Sequence, residues 1–278
     1  MPTIEENRDR WLSYNWPEEG DEWSFHWGGT PYLWYGSVFP RIQAFLPADS
    51  ILEIAPGYGR CTQYLLALCN ELTVVDLSKN CIRACQKRFK TSPHIKYFVN
   101  DGKSLDMIKD SSIDFVFSWD SLVHAEADVL HSYLLYLAAK LKPGGYGFLH
   151  HSHIGAFRDP ETGELTVENR HWRATSMAAG IFQEYCDEVG LTCISQEIIG
   201  WGGEILTDCF SLFTKEAHKT CHDTVILENK DFMQEAYRLR NIARLFNPAQ
   251  MSNRIMKSEE ALVSKVMKMF HNKINNPK

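Results

Sequence analysis

Three histidines within four residues, His150, His151 and His153, are the first candidates for chemistry, and His124 follows Asp120 by four positions. An imidazole with an unperturbed pKa of about 6.5 can take up a proton near neutrality. Acidic residues recur ahead of them: Glu53, Asp76, Asp101 and Asp120. Glu53 lies within Ile51–Arg60, ILEIAPGYGR, a strand running into a tight turn. Gly57 and Gly59 lack a Cβ, so the backbone there can approach a ligand closely, and the following helix presents its amide end to the same place. Two nucleotide motifs fail on spacing. A G-x-G-x-x-G dinucleotide frame puts Ala55 and Arg60, or Thr62, where glycine is required, and the Gly-Lys-Ser/Thr of a P-loop is absent.

These residues need a scaffold, and the chain supplies one between residues 50 and 151. Apolar strands at Ile51–Ile54, Leu72–Val75, Ile95–Val99, Ile113–Ser118 and Tyr146–His150 alternate with helical stretches. Ser78 is placed to cap the second helix. Such alternation predicts an α/β fold with a doubly wound, mostly parallel sheet, whose ligands bind at the carboxyl ends of the strands. Two further strands, Cys193–Ile199 and Leu206–Thr214, are joined by a link too short for a crossover helix, so they are expected to be antiparallel. Three regions follow: an aromatic N-terminal cover or lid (1–45), the sheet domain (46–216) and a C-terminal extension (217–278). Helical stripes in that extension, Phe232 to Phe246 and Leu262 to Phe270, offer packing or homodimer surface.

Composition narrows the function. The formal net charge is -6 and no Lys/Arg block stands out, which disfavours a nucleic-acid partner. No apolar run approaches the roughly 20 residues of a membrane span, and the charged start is no secretory signal, so a cytoplasmic protein is expected. Eight cysteines form no C-x-x-C pair and are expected to be reduced, mostly buried thiols.

With these checkpoints in order, the segment around Glu53, Ala55, Gly57 and Gly59 resembles motif I of class I S-adenosylmethionine-dependent methyltransferases, acidic-x-G-x-G-x-G, with Ala55 in place of the first glycine. Asp76, Asn100-Asp101-Gly102, Trp119-Asp120 after the fourth strand and Lys142-Pro143-Gly144-Gly145 before the fifth fall in register with that family. The resemblance covers roughly residues 45–215. It implies a Rossmann-like, seven-stranded sheet closed by an antiparallel hairpin, and an enzyme of the EC 2.1.1 class with S-adenosyl-L-methionine as cofactor and S-adenosyl-L-homocysteine as product. It places Glu53, Ala55, Gly57, Gly59, Asp76, Leu77, Asp101, Gly102 and Trp119 around the cofactor, with Asp76 accepting from the ribose hydroxyls. EIAPGYGR, NDGKSL, DSLVH and NRHWR are similar to bacterial sugar and polysaccharide O-methyltransferases.

Methyl transfer from a sulfonium is an in-line displacement, so alignment in a dry site is the main task. A sugar hydroxyl does not ionise at neutral pH, so an oxygen acceptor favours a positioned base. His151 is the first candidate and His124 the second, with Asp120 beside them. His150 and His151 point to opposite faces of a strand, so only one of them can serve. Acceptor contacts are expected from Trp27, Tyr35, His150, His153, Arg170, Trp172, Arg173 and Trp201. A divalent metal on Asp120, Asp101 and Asp208 is a less favoured route, and no metal site is assigned. The alternatives are an N- or phenol-O-methyltransferase of another small metabolite, or a catalytically inactive adaptor that keeps the fold.

Overall fold

The computed structural model describes residues 2–216 and 223–247. Cys221 and the stripe Leu262, Val266 and Phe270 lie outside the described residues. Eight strands form one sheet: β1 (Ala48–Ile54), β2 (Cys69–Asp76), β3 (Ile95–Val99), β4 (Ile113–Ser118), β5 (Leu141–Ser152), β6 (Thr192–Ile199), β7 (Asp208–Lys215) and β8 (Val225–Asn229). Their order is β3-β2-β1-β4-β5-β7-β6-β8. Only β7 runs against its neighbours β5 and β6, as the short link between β6 and β7 requires.

Helices flank the sheet in chain order: α1 (Ile4–Ser13), α2 (Thr30–Leu33), α3 (Phe39–Ile42), α4 (Thr62–Leu65), α5 (Lys79–Arg88), α6 (Ala127–Lys140), α7 (Ala179–Val189) and α8 (Phe232–Leu245). Strand alternation divides the core in two. Ile51, Val74, Phe117 and Phe148 face a cluster with Trp34, Ile42 and Phe232, so the N-terminal cover and α8 pack on the same core as the sheet. Leu52, Val75, Val116 and Leu149 face the opposite cluster, with Leu134 of α6 and Phe182 of α7.

The seven-stranded expectation is corrected to eight. Residues 223–247 open with β8, parallel to β6, before α8 begins. The run Val225-Ile226-Leu227 is apolar and rich in branched side chains, a composition that suits a strand, and it satisfies the outer edge of β6. All three side chains are exposed, so the strand is held by backbone pairing more than by burial.

Candidate active site

A cavity of about 310 Å³ opens at the carboxyl ends of β1, β2 and β4, beneath the N-terminal cover. Its floor is the turn after β1. Ala55 (φ 57°) and Gly57 (φ 58°) both adopt the left-handed conformation there. Alanine accepts this geometry at a cost that glycine avoids. A Cβ on Gly57 would lie 3.0 Å from the Trp16 ring, so the cover sits directly on the turn. Gly59 (φ 87°) packs instead against Phe89, which a Cβ would meet at 2.5 Å, and it does not line the cavity.

Two buried carboxylates face this floor. Asp76 ends β2; one oxygen accepts from Ser78 N at 2.7 Å and the other from Gly57 N at 3.3 Å. Glu53 of β1 accepts from Thr62 Oγ1 at 2.5 Å. Burial outweighs these donors and pushes Asp76 up to about 7 and Glu53 up to about 8. Both acids are short of donors, and Nε1 of Trp16 and of Trp119, two lining residues, is buried with no partner.

The far wall is built from the segment after β4. Asp120 is left-handed (φ 56°), and its side chain takes Arg60 Nη2 at 3.1 Å. Its backbone N–H donates to His150 Nδ1 at 3.0 Å, so the other nitrogen of that ring, Nε2, carries the proton and donates to Asp208 at 3.0 Å. Arg173 grips the same carboxylate through Nε (2.9 Å) and Nη2 (2.6 Å). Burial raises the Asp208 carboxyl, but the Arg173 charge together with the hydrogen bonds from His150 and Arg173 outweighs it and holds Asp208 far below the usual carboxylate range. His150 and Asp208 are fully buried, so this network sets the position of the wall and of the lining side chain Arg173.

His124 lies on the wall. Its Nδ1 meets the Trp172 carbonyl at 2.8 Å, so Nδ1 holds the proton and Nε2 is left as an acceptor without a partner among the described residues. The ring sits between Trp11 (5.7 Å) and Trp172 (5.2 Å). Burial, aided by the charge of Arg173, lowers its pKa to about 4, so it is neutral at pH 7. The cover closes over it: Asn7 Nδ2 donates to the His124 carbonyl at 2.9 Å, and Trp16 stacks on Tyr58 at 4.5 Å. Trp16, Ala55, Asp120 and Trp172, four of the six non-glycine residues with positive φ among the described residues, border this one site. Strain gathered in this way marks functional sites.

Residues 51–145 match the family model of a methyltransferase domain, and 65% and 70% of the chain share the fold of solved S-adenosylmethionine-dependent methyltransferases from Methanosarcina mazei and Clostridium acetobutylicum. That stretch of the chain is a methyltransferase domain. The ribosomal RNA small subunit methyltransferase A of Coxiella burnetii is 33% identical over 58 residues, 21% of this chain and 22% of that protein. Phosphoethanolamine N-methyltransferase 1 of Arabidopsis thaliana is 26% identical over 149 residues, 52% of this chain and 30% of that protein. A chain from the complex of the Haloferax volcanii Trm112 methyltransferase activator with a methyltransferase superposes with a TM-score of 0.55 at 16% identity. That match covers 79% of this chain and all of the other, and shows a likeness of fold. The chain spans less than a third of the length of these two curated relatives.

Within the methyltransferase domain, Glu53, Ala55, Gly57, Asp76, Leu77, Gly102, Trp119, Asp120 and His124 line the cavity, with Arg173 and Trp201 from later segments. Other expected residues lie elsewhere. His151 is corrected: it faces the α7 side, stacks on Phe182 at 4.6 Å and bonds Ser211 Oγ at 2.8 Å. Burial lowers its pKa to about 3, and it does not reach the cavity. Asp101 is exposed, and one of its oxygens accepts from the backbones of Lys103 and Ser104. His153 accepts from Ala179 N at the start of α7, where no side chain of the preceding residue caps the helix. Trp27 is buried in the core with its N–H on Ser37, and Tyr35 is 64% exposed beside Phe39 and Tyr64. Arg170 is exposed and paired with Glu168. His150 stands behind the wall, and Trp172 contributes its carbonyl and ring to His124. Asp208 is committed to Arg173 and His150, and Asp120 to Arg60, so these carboxylates form no cluster with Asp101. No group of three or more His, Cys, Asp or Glu among the described residues is arranged to hold a metal ion. Trp11, Trp16 and Arg60 also line the cavity without having been singled out as site residues; the tryptophans belong to the aromatic cover, and Arg60 directly follows the glycine turn.

Proposed function

We propose that the protein is an S-adenosylmethionine-dependent methyltransferase acting on an oxygen of a small acceptor, of sugar or glycan type, with His124 as the proton acceptor. The observation that carries this reading is the opening of two donor-poor carboxylates, Glu53 and Asp76, and of an unengaged His124 Nε2 onto the same cavity. The residues present fit the cofactor. Its ribose hydroxyls and ammonium are the donors these buried acids lack, and the left-handed turn at Ala55–Gly57 gives close backbone approach. When bound, the cofactor supplies an electrophilic methyl group on a sulfonium.

This chain's residues do the rest. Asp76 holds hydroxyl donors, and the Asp120–His150–Asp208–Arg173 network fixes the wall that carries the acceptor. Trp11, Trp16 and Trp201 surround the acceptor space with flat apolar faces that suit a sugar ring and keep water out. A hydroxyl proton passes to His124 Nε2, whose ring is oriented by the Trp172 carbonyl. The test is titration with S-adenosylhomocysteine followed by an acceptor screen with the His124→Ala variant. The expected outcome is cofactor-product affinity close to wild type with turnover reduced by a hundredfold or more. Full turnover in a folded variant refutes the role of His124.

A further inference from the structure

Arg60 is a charged lining residue whose hydrogen bonding is incomplete. It is only 8% exposed; Nη2 is spent on Asp120, while Nη1 is buried with no partner. A buried guanidinium N–H left unsatisfied is costly, and the group that relieves it best is an oxyanion, which a guanidinium binds through short, charge-assisted bonds. A second lining arginine, Arg10 of α1, lies 4.2 Å above the Trp172 ring and pairs with no acid among the described residues. The third, Arg173, is fully engaged by Asp208. Asp120 and Asp208 thus neutralise two of three guanidiniums, which leaves one positive charge in surplus on the acceptor side of a protein whose overall net charge is -6. A local cationic site within an acidic surface selects for an anionic ligand.

We propose that the acceptor is an anionic small molecule, bearing a carboxylate or a phosphate monoester, and that Arg60 Nη1 and the Arg10 guanidinium hold its oxyanion. This deepens the methyltransferase reading and rests on it. With the oxyanion anchored between the arginine of the glycine turn and that of the cover, the rest of the acceptor lies near His124, whose ring shares Trp172 with Arg10.

The test uses protein saturated with S-adenosylhomocysteine, titrated at constant ionic strength with inorganic phosphate and, separately, with acetate, and followed by tryptophan fluorescence. The expected result is a saturable change with one of the two anions, which names the acceptor's charged group. Its midpoint should rise at least tenfold in Arg10→Gln, an exposed position that leaves the fold intact, and in Arg60→Gln wherever that variant still binds S-adenosylhomocysteine. Saturable S-adenosylhomocysteine binding with no anion response overturns the proposal and leaves the methyltransferase reading standing. No S-adenosylhomocysteine binding by folded protein removes the reading itself. Anion binding that occurs only without S-adenosylhomocysteine, and competes with it, assigns the arginines to the cofactor's own carboxylate and overturns the acceptor assignment.

Discussion

Asp76→Asn should stabilise the ligand-free protein at pH 8 and abolish much of its cofactor-product affinity. The Asp76 carboxyl is pushed by burial from an ordinary 3.8 up to about 7. A folded-state pKa above the unfolded value means that the folded state binds more protons in between. The stabilising contribution is therefore fully present below about pH 4 and is lost as pH rises through about 7. At 1.36 kcal/mol per pKa unit, about three units correspond to about 4 kcal/mol across this window. The D76N variant carries no charge to desolvate, so its stability lacks this component. The amide keeps one acceptor for Ser78 N, but its NH2 then faces Gly57 N–H, a mismatch that costs about 1–3 kcal/mol. The net expectation is a variant about 1–3 kcal/mol more stable than wild type at pH 8 and less stable than wild type at pH 4. Urea unfolding of both proteins at the two pH values measures this directly. Glu53 titrates in both proteins, but the Asp76 charge raises its pKa, so loss of that charge in D76N adds to the variant's gain at pH 8. Curves that stay parallel from pH 4 to pH 8 refute the claim that Asp76 is a desolvated acid awaiting donors. With S-adenosylhomocysteine the order reverses, because hydrogen bonds to the charged carboxylate are worth about 1.5–3 kcal/mol, a ten- to hundredfold loss of affinity in the variant.

Other outcomes follow from the same geometry. Affinity for S-adenosylhomocysteine should fall as pH drops below about 7, with proton release on binding, because the ligand prefers ionised Asp76; calorimetry in buffers of different ionisation enthalpy reads this. His151→Ala should cost about 2–4 kcal/mol of stability through lost packing on Phe182 and an unpaired Ser211, with kcat unchanged in the folded fraction. Asp208→Asn should destabilise by about 3–5 kcal/mol, since it leaves the Arg173 charge buried without its partner, and thermal unfolding measures it. Gly59→Ala should be destabilising from both sides, by a left-handed φ of 87° and a Cβ placed 2.5 Å from Phe89, again by thermal unfolding.

The parts legible in the sequence were those set by local chemistry. The glycine turn, Asp76 at the end of β2, Ser78 capping α5 and the antiparallel β6–β7 pair all follow from residues within a few positions of one another. Five strands were placed by alternation alone, and β3 and β4 took the residues expected of them. Local pattern failed where a choice was settled by a distant partner. Alternation showed that His150 and His151 face opposite ways, but only the packing of Phe182 on one side and Asp208 on the other shows which is which. Asp101 matched its expected position, yet the two backbone N–H groups after it drew the carboxylate outward. Arg60–Asp120 spans 60 residues and Arg173–Asp208 spans 35, and nothing in either neighbourhood announces the pairing. The strand β8 has a readable signal in its branched apolar run Val225-Ile226-Leu227, but the helical stripe from Phe232 onward dominates the pattern of that segment.

The measurement that tests the central claim most directly is calorimetric titration of the purified protein with S-adenosylhomocysteine at pH 8. The account predicts saturable binding to one site per chain, weakened ten- to hundredfold by Asp76→Asn and left near wild type by His151→Ala. A folded protein that shows no saturable binding, or binds equally well without the Asp76 carboxylate, contradicts it.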